Sequence, residues 1–168
     1  LQMTLAYSAI ANGGKLWQPY VVRRIEGSNL EEVDEIKSTL KRTIAIDPRH
    51  FQAVQKGLLG VVEEGRGTAH GIKDKDVLIG GKTGTAQVVR LAEGANRKAA
   101  AKSAKSHEQY HACFVGYAPA DNPQIVVCAF VEHGGHGSSA AAPLVQKVIL
   151  SYFGKEKVEV VMQPEDID

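Results

Sequence analysis

The chain has 168 residues, 43% of them hydrophobic and 23% charged, which supplies enough apolar material for one globular domain with a core. Its 20 basic and 19 acidic residues leave a net charge of +1, which argues against a dedicated nucleic-acid-binding protein. No run of about 18 apolar residues is present, so we expect no membrane-spanning helix within these residues.

The N-terminal residues predict the interior of a helix. Apolar side chains recur there at helical spacing, at Met3, Ala6, Tyr7 and Ile10. Asn12–Gly14 ends the helix, because glycine readily adopts the left-handed backbone of a helix C-terminus. The chain begins at Leu1 with neither a methionine nor a secretory signal, so we expect a piece of a longer protein.

A β-hairpin is predicted after this helix. Its strands are Pro19–Ile25 and Leu30–Ile36, and Gly27–Asn29 supplies the turn. We expect the hairpin to form an excursion between the first helix and the next one.

The second helix has clear start and stop signals. Asp47 is its N-cap, Pro48 occupies its first position, and Gly65 and Gly67 end it. Its apolar stripe is expected to contain Phe51, Val54, Leu58 and Val61 or Val62.

The run Val77–Val88 predicts a strand that carries a Lys-Thr-Gly triplet. Lys82 offers three donors to a carboxylate or a hydroxyl, and Thr83 and Thr85 share one face because side chains alternate along a strand. Gly84 lacks a Cβ, so a peptide can lie close along the backbone and be held by main-chain hydrogen bonds. The backbone N–H of Thr85 is a candidate oxyanion donor.

A phosphate-binding P-loop is the competing interpretation of this run, since Gly81–Thr83 matches the last three positions of that motif. The motif requires a glycine five residues earlier, where Asp76 stands. It must also open a helix, whereas the residues from Thr85 onward are strand-like. We therefore reject the P-loop.

The C-terminal part predicts a hairpin and a third helix, which completes an α+β pattern with helices segregated from an antiparallel sheet. The hairpin joins His111–Tyr117 to Gln124–Glu132. The helix begins after Ser138-Ser139 and ends at Gly154. One side of it is expected to carry Leu144, Val145, Val148, Ile149 and Tyr152.

We interpret the cysteines, two of the histidines and one basic segment as structural features rather than as metal ligands or disulfides. Cys113 and Cys128 are expected to be two buried thiols, since two cysteines do not make a disulfide framework. His133 and His136 are expected in a loop at a cleft rim, and two histidines are too few ligands for a zinc site. The basic segment 90–107 is interpreted as a surface loop or as a flap beside the site.

The ordered motifs resemble the C-terminal half of the transpeptidase domain in class B penicillin-binding proteins, and most of all the elongation type, penicillin-binding protein 2. The resemblance is carried by Asn12–Gly14, the Asp47-Pro48 helix start, Gly65–Ala69, Gly80–Gln87 and Phe114–Pro119. It covers residues 1–154 as part of that domain and leaves 155–168 as a C-terminal tail. The fold implied is a partial β-lactamase/D,D-peptidase-like fold, with three core strands in this piece.

The resemblance implies a serine-type D-Ala-D-Ala transpeptidase that cross-links peptidoglycan stem peptides and is acylated by β-lactams. It implies that Lys82 and Thr85 act in catalysis, and that Lys82, Thr83, Gly84 and Thr85 bind substrate, with no cofactor or metal. The chain lacks a Ser-x-Asn motif, and its single Ser-x-x-Lys, at Ser38, is interpreted as a solvated coincidence. The fragment is therefore expected to be inactive alone.

The resemblance also implies partners and a location. The partners are the upstream half of the same domain and membrane proteins of the elongation machinery, at the periplasmic face of the bacterial inner membrane. Without the upstream half, the strand Gln124–Glu132 would be an open sheet edge, so self-association of the fragment is expected. The alternatives are a β-lactam sensor, a non-catalytic penicillin-binding module, or an interaction domain that uses this edge.

Overall fold

A computed structural model describes residues 1–28, 32–87 and 110–155. In chain order its elements are α1 (Gln2–Ala11), β1 (Lys15–Trp17), β2 (Arg24–Glu26), β3 (Glu32–Glu35), β4 (Leu40–Thr43), α2 (Pro48–Glu63), a 3-10 turn (His70–Ile72), β5 (Gly80–Gln87), β6 (Tyr110–Ala118), β7 (Ile125–Val131), a π-helical turn (Gly137–Ala141) and α3 (Ala142–Tyr152). The basic segment 90–107 and nearly all of the predicted tail lie outside the described residues.

The central sheet is antiparallel, three-stranded and ordered β5-β6-β7. Together with the helices it forms the predicted α+β fold. One face is covered by α3, the π-helical turn and the second half of α2, with Val62, Phe114, Val145 and Ile149 at its centre. The other face packs on α1, where Ala11, Leu58 and Tyr117 are buried together. Because Leu58 and Val62 reach opposite faces, α2 runs past the sheet at its β5 side.

The three predicted helices are confirmed. At the start of α2, Asp47 Oδ1 accepts the backbone N–H of Arg49 at 2.9 Å. The Arg49 guanidinium and, to a smaller extent, this backbone bond hold the pKa of Asp47 below its usual value. At the end of α1, Gly13 and Gly14 have positive φ angles, and the N–H of Gly14 donates to the carbonyl oxygen of Ala9.

Two predicted apolar stripes are partly wrong. Val54 on α2 is exposed, and so are Leu144, Val148 and Tyr152 on α3. The buried side of α3 is instead formed by Ala142, Val145, Ile149 and Leu150. Helix α3 is apolar over more than one face, so spacing alone does not select the face of α3 that meets the sheet.

The N-terminal excursion contains more pairing than was predicted. The expected hairpin is present in a shorter form than predicted, as β2 of three residues paired with β3 of four, and residues 19–23 are not in a strand. A second two-stranded sheet joins β1 to β4, with Lys15 opposite Thr43. This outer pair was missed because its strands lie far apart in sequence and no local turn signal announces them.

The glycine pair at the start of β5 makes room for two aromatic rings of β6. A Cβ on Gly80 would lie 2.7 Å from Tyr117 Cζ, and a Cβ on Gly81 would lie 2.5 Å from Phe114 Cζ. Both rings are fully buried. The glycines therefore let β5 and β6 pair closely over these rings.

The two cysteines are free and lie on the α1 face of the sheet. Cys113 is opposite Phe130 and Cys128 is opposite Val115, so the thiols are diagonal neighbours. Burial and the adjacent Cys128 raise the pKa of Cys113. Both side chains are half-buried rather than fully buried as predicted.

Among the described residues, no helix combines the length and apolar character required to cross a bilayer.

Apolar surface is exposed in several places. Leu1 at the start of α1 is 80% exposed, and Phe130 on β7 is 55% exposed. Within the described ranges, β7 pairs with β6 alone and leaves its other edge open.

We expect the isolated chain to self-associate through this open edge, because an unpaired apolar strand is a template for pairing with another copy. Light scattering over a concentration series should show dimers or larger species. The variant Phe130→Lys should shift the population toward monomer, since a charge on the edge strand disfavours edge-to-edge pairing. A monomer at millimolar concentration would contradict the prediction.

Candidate functional site

The outer edge of β5 presents backbone groups to solvent. The carbonyl oxygens of Tyr110 and Ala118 accept bonds from the β7 side, from Gly135 and Gln124. The backbone N–H and C=O groups of successive residues in an antiparallel strand point to opposite sides. The even-numbered residues of β6 therefore face β7, and the odd-numbered residues face β5. Their β5 partners include Lys82 and Gly84, opposite Val115 and Cys113.

It follows that the N–H groups of Thr83 and Thr85 point away from β6, toward the open edge of the strand. Their side chains share the α3 face, since Thr83 lies opposite Phe114 and Thr85 opposite Ala112. Lys82 and Thr85 are exposed, and Thr83 and Gly84 are partly exposed. All four predicted site residues thus lie together on an accessible strand edge.

Lys82 bends toward the same edge. Its Nζ donates to the carbonyl oxygen of Thr83 at 2.9 Å and lies 3.4 Å from Thr83 Oγ1. The ammonium group therefore sits beside the outward-pointing backbone of Thr83. A positive charge and outward N–H groups on one edge are suited to a ligand with a carboxylate.

Thr68, which lies outside the strand, forms a cluster with Lys82 and Thr83. Thr68 Oγ1 lies 3.2 Å from Thr83 Oγ1. The loop carrying Thr68 folds back on the end of α2, where the N–H of Ala69 donates to the carbonyl oxygen of Val61 at 2.9 Å. A Cβ on Gly67 would lie 2.3 Å from that oxygen, so the tight return requires glycine.

An open groove of about 320 Å³ runs between α2 and the cluster. Gly57, Gly60 and Glu64 line its α2 side, and Arg66, Thr68 and Lys82 line it near β5. The groove therefore places two cationic side chains, one carboxylate and one hydroxyl beside the Lys-Thr-Gly edge.

The loop after β7 lies beside the same strand. A Cβ on Gly137 would lie 2.3 Å from the carbonyl oxygen of Cys113 and 2.6 Å from that of Gly84. The π-helical turn thus crosses directly over the β5–β6 ladder at Gly84. On the α1 face, a Cβ on Gly84 would have Cys113 Cβ as its nearest neighbour, at 3.3 Å.

The histidines of this region form a structural cluster. The backbone N–H of His133 donates to His111 Nδ1 at 3.0 Å, and the two rings contact edge to face. Within residues 1–28, 32–87 and 110–155, no three His, Cys, Asp or Glu side chains are close enough to hold a metal ion.

Ser38, the only serine in a Ser-x-x-Lys sequence, is exposed between β3 and β4. It lies in the segment that connects the two small N-terminal sheets, and not on the β5 edge. The structure therefore places this serine on a different element from the Lys-Thr-Gly cluster.

Comparison with known proteins decides the family. Residues 1–150 match the model of the penicillin-binding protein transpeptidase domain. The chain belongs to the penicillin-binding protein transpeptidase family. A peptidoglycan D,D-transpeptidase, MrdA, from Haemophilus influenzae is 34% identical to it over 95% of the chain. The chain spans about a quarter of that relative, 24% of its length.

Solved transpeptidase structures have the same fold. The D,D-transpeptidase domain of a peptidoglycan glycosyltransferase from Eggerthella lenta superposes with a TM-score of 0.67 at 30% identity, covering 91% of this chain and 32% of that one. A penicillin G acyl-enzyme complex of penicillin-binding protein A from Mycobacterium tuberculosis gives 0.66 at 25% identity, covering 89% and 31%. The implied β-lactamase-like fold is therefore confirmed.

Thr68 was missed as a site residue when the sequence was read alone. Gly65–Ala69 was interpreted only as a helix terminator and a family motif. The sequence offered one indication of this role, since Thr68 directly follows Gly67, a residue that lets the chain fold back tightly after α2. Local sequence does not reveal that this return ends beside Thr83.

Proposed function

We propose that the chain is the C-terminal portion of the transpeptidase domain of a peptidoglycan D,D-transpeptidase. The observation that carries the proposal is the exposed β5 edge, on which Lys82 Nζ, Thr83 Oγ1 and the outward N–H groups of Thr83 and Thr85 lie together. The family match over residues 1–150 and the names of the relatives support it.

In the proposed reaction, a serine hydroxyl from the upstream part of the domain adds to the penultimate D-Ala carbonyl of a stem peptide. The amine of the terminal D-Ala leaves with a proton, and an acceptor amine then takes the acyl group and releases the serine. The N–H of Thr85 donates to the oxyanion, a contribution of about 3 kcal/mol for one such donor. Thr83 and Thr85 receive the terminal carboxylate, and Gly84 leaves room beside the peptide backbone.

Lys82 has two roles in this scheme. Its charge attracts the carboxylate, and its Nζ, which can only donate, bonds a hydroxyl of the upstream half. We propose that this half completes the domain, and that the whole protein acts at the periplasmic face of the inner membrane with membrane proteins of the elongation machinery. β-Lactams would acylate the same serine, as the penicillin G acyl-enzyme of the mycobacterial neighbour suggests.

Labelling with a fluorescent penicillin tests the proposal. We expect a covalent adduct on the protein that contains the upstream half, and none on the isolated chain, because nucleophile and base must lie within hydrogen-bond reach. Denaturing gel fluorescence measures the adduct. Labelling of the isolated chain that disappears in Ser38→Ala would assign the nucleophile to this fragment and overturn the proposal.

A turnover assay separates an enzyme from a β-lactam sensor or other non-catalytic module. We expect the complete protein to release the thiol of a D-Ala-D-Ala thioester analogue and to pass the acyl group to an amine. Penicillin labelling without any thiol release would instead identify a sensor or binding module.

A further inference from the structure

We propose that Thr68 is a positioning residue, which orients the hydroxyl of Thr83 toward the carboxylate of a substrate or β-lactam. This inference rests on the proposed function. Thr68 lies outside the Lys-Thr-Gly strand and reaches it across the loop that follows α2, at an Oγ1–Oγ1 distance of 3.2 Å from Thr83.

The hydroxyl of Thr83 has one proton and two acceptor lone pairs. Lys82 Nζ, 3.4 Å from Thr83 Oγ1, can only donate. When Thr68 also donates, both lone pairs of Thr83 are occupied by donors. The single proton of Thr83 then has no acceptor within the cluster and is left for an incoming anion.

The opposite arrangement would weaken an anion site. If Thr83 donated its proton to Thr68, a lone pair of Thr83 would face the ligand and repel a carboxylate. A bound carboxylate therefore selects the arrangement in which Thr68 donates. Without the Thr68 hydroxyl, the Thr83 proton is free to rotate, and part of its orientation is lost before the ligand binds.

The structure holds Thr68 rigidly while leaving its side chain exposed. Gly67 lies against the last carbonyl groups of α2, and Ala69, which is 2% exposed, is anchored by its bond to Val61. The Thr68 hydroxyl itself is at the surface, where water can replace any partner. Its bond to Thr83 therefore contributes little to folding, and its removal should affect ligand binding more than stability.

The test compares a penicillin with its methyl ester in the complete protein. We expect Thr68→Val, which keeps the shape but removes the hydroxyl, to lower the second-order acylation rate constant for the free acid by about 10-fold. The rate constant for the uncharged ester should change by less than about 2-fold. Thr68→Ser should restore the free-acid rate constant, because it restores the hydroxyl.

A double-mutant cycle separates positioning from a structural role. Thr83→Val should slow acylation by the free acid, and Thr68→Val should add no further loss in that background, since the hydroxyl it orients is gone. The cycle uses the free acid alone, so it gives a result even if the ester reacts slowly.

The outcomes are distinguishable. Wild-type protein that takes no label at all would overturn the proposed function and this inference together. Labelled wild type with an unchanged Thr68→Val variant would overturn the role of Thr68 alone. Additive losses in the cycle, or equal losses for acid and ester, would show that Thr68 acts on the structure rather than through Thr83.

Discussion

Replacing Lys82 with methionine should lower the acylation rate constant of the complete protein for penicillin on the order of 100-fold. Methionine keeps much of the side-chain length but removes the charge and the three donors. The variant loses the bond to the Thr83 carbonyl and the positive charge beside the open edge of β5. Stopped-flow measurement with a fluorescent penicillin gives the rate constant.

Lys73→Met is the matched control, because Lys73 is also an exposed lysine, but it follows the 3-10 turn and pairs with Glu63 at the end of α2, at 2.9 Å. Its ammonium group is bonded to Glu63 rather than to the Lys-Thr-Gly strand, so the acylation rate constant of the variant should stay within about 2-fold of wild type. A Lys82→Met variant that reacts like this control would show that Lys82 has no part in the reaction.

Replacing Gly81 with valine should destabilise the complete protein by about 3 kcal/mol or prevent folding. The new Cβ would lie 2.5 Å from Phe114 Cζ and 2.6 Å from the carbonyl oxygen of Val115. The ring is fully buried and the second atom is backbone, so neither can move aside without disturbing the core. The free energy of unfolding is measured by urea denaturation followed by circular dichroism.

Gly57→Ala provides the opposite control for this measurement. Gly57 lies inside α2, and a Cβ there would meet no atom within 4 Å. Alanine is the better helix former and restricts the unfolded chain, so the free energy of unfolding should rise by about 0.5–1 kcal/mol. If Gly81→Val were as stable as wild type, the close β5–β6 packing described above would be wrong.

Local signals predicted the helices and the central strands well. The start of α2 could be predicted because an N-cap and a proline act within a few residues, and the end of α1 because Asn12–Gly14 supplies its left-handed turn. The hairpin of β6 and β7 was predicted because its two apolar runs are separated by a short turn-forming segment.

The features that were missed are non-local. Pairing of β1 with β4 joins chain segments more than twenty residues apart. The face of α3 that is buried depends on how α3 packs against the distant strands of the sheet. Alternating apolar positions satisfy several such arrangements equally well. Only packing against a particular neighbour selects one of them.

The sequence by itself indicated the α+β class and the four residues Lys82–Thr85 as the candidate site, because side-chain chemistry and strand alternation are written in neighbouring residues. The order of its motifs indicated the family by resemblance, which the family match confirms. Their catalytic roles stay a prediction. Tertiary structure alone decided that the backbone N–H groups of Thr83 and Thr85 face an open edge and that Thr68 meets Thr83 there. Those facts depend on strand register and on how the loop returns from α2, and both are set by contacts between residues distant in the chain.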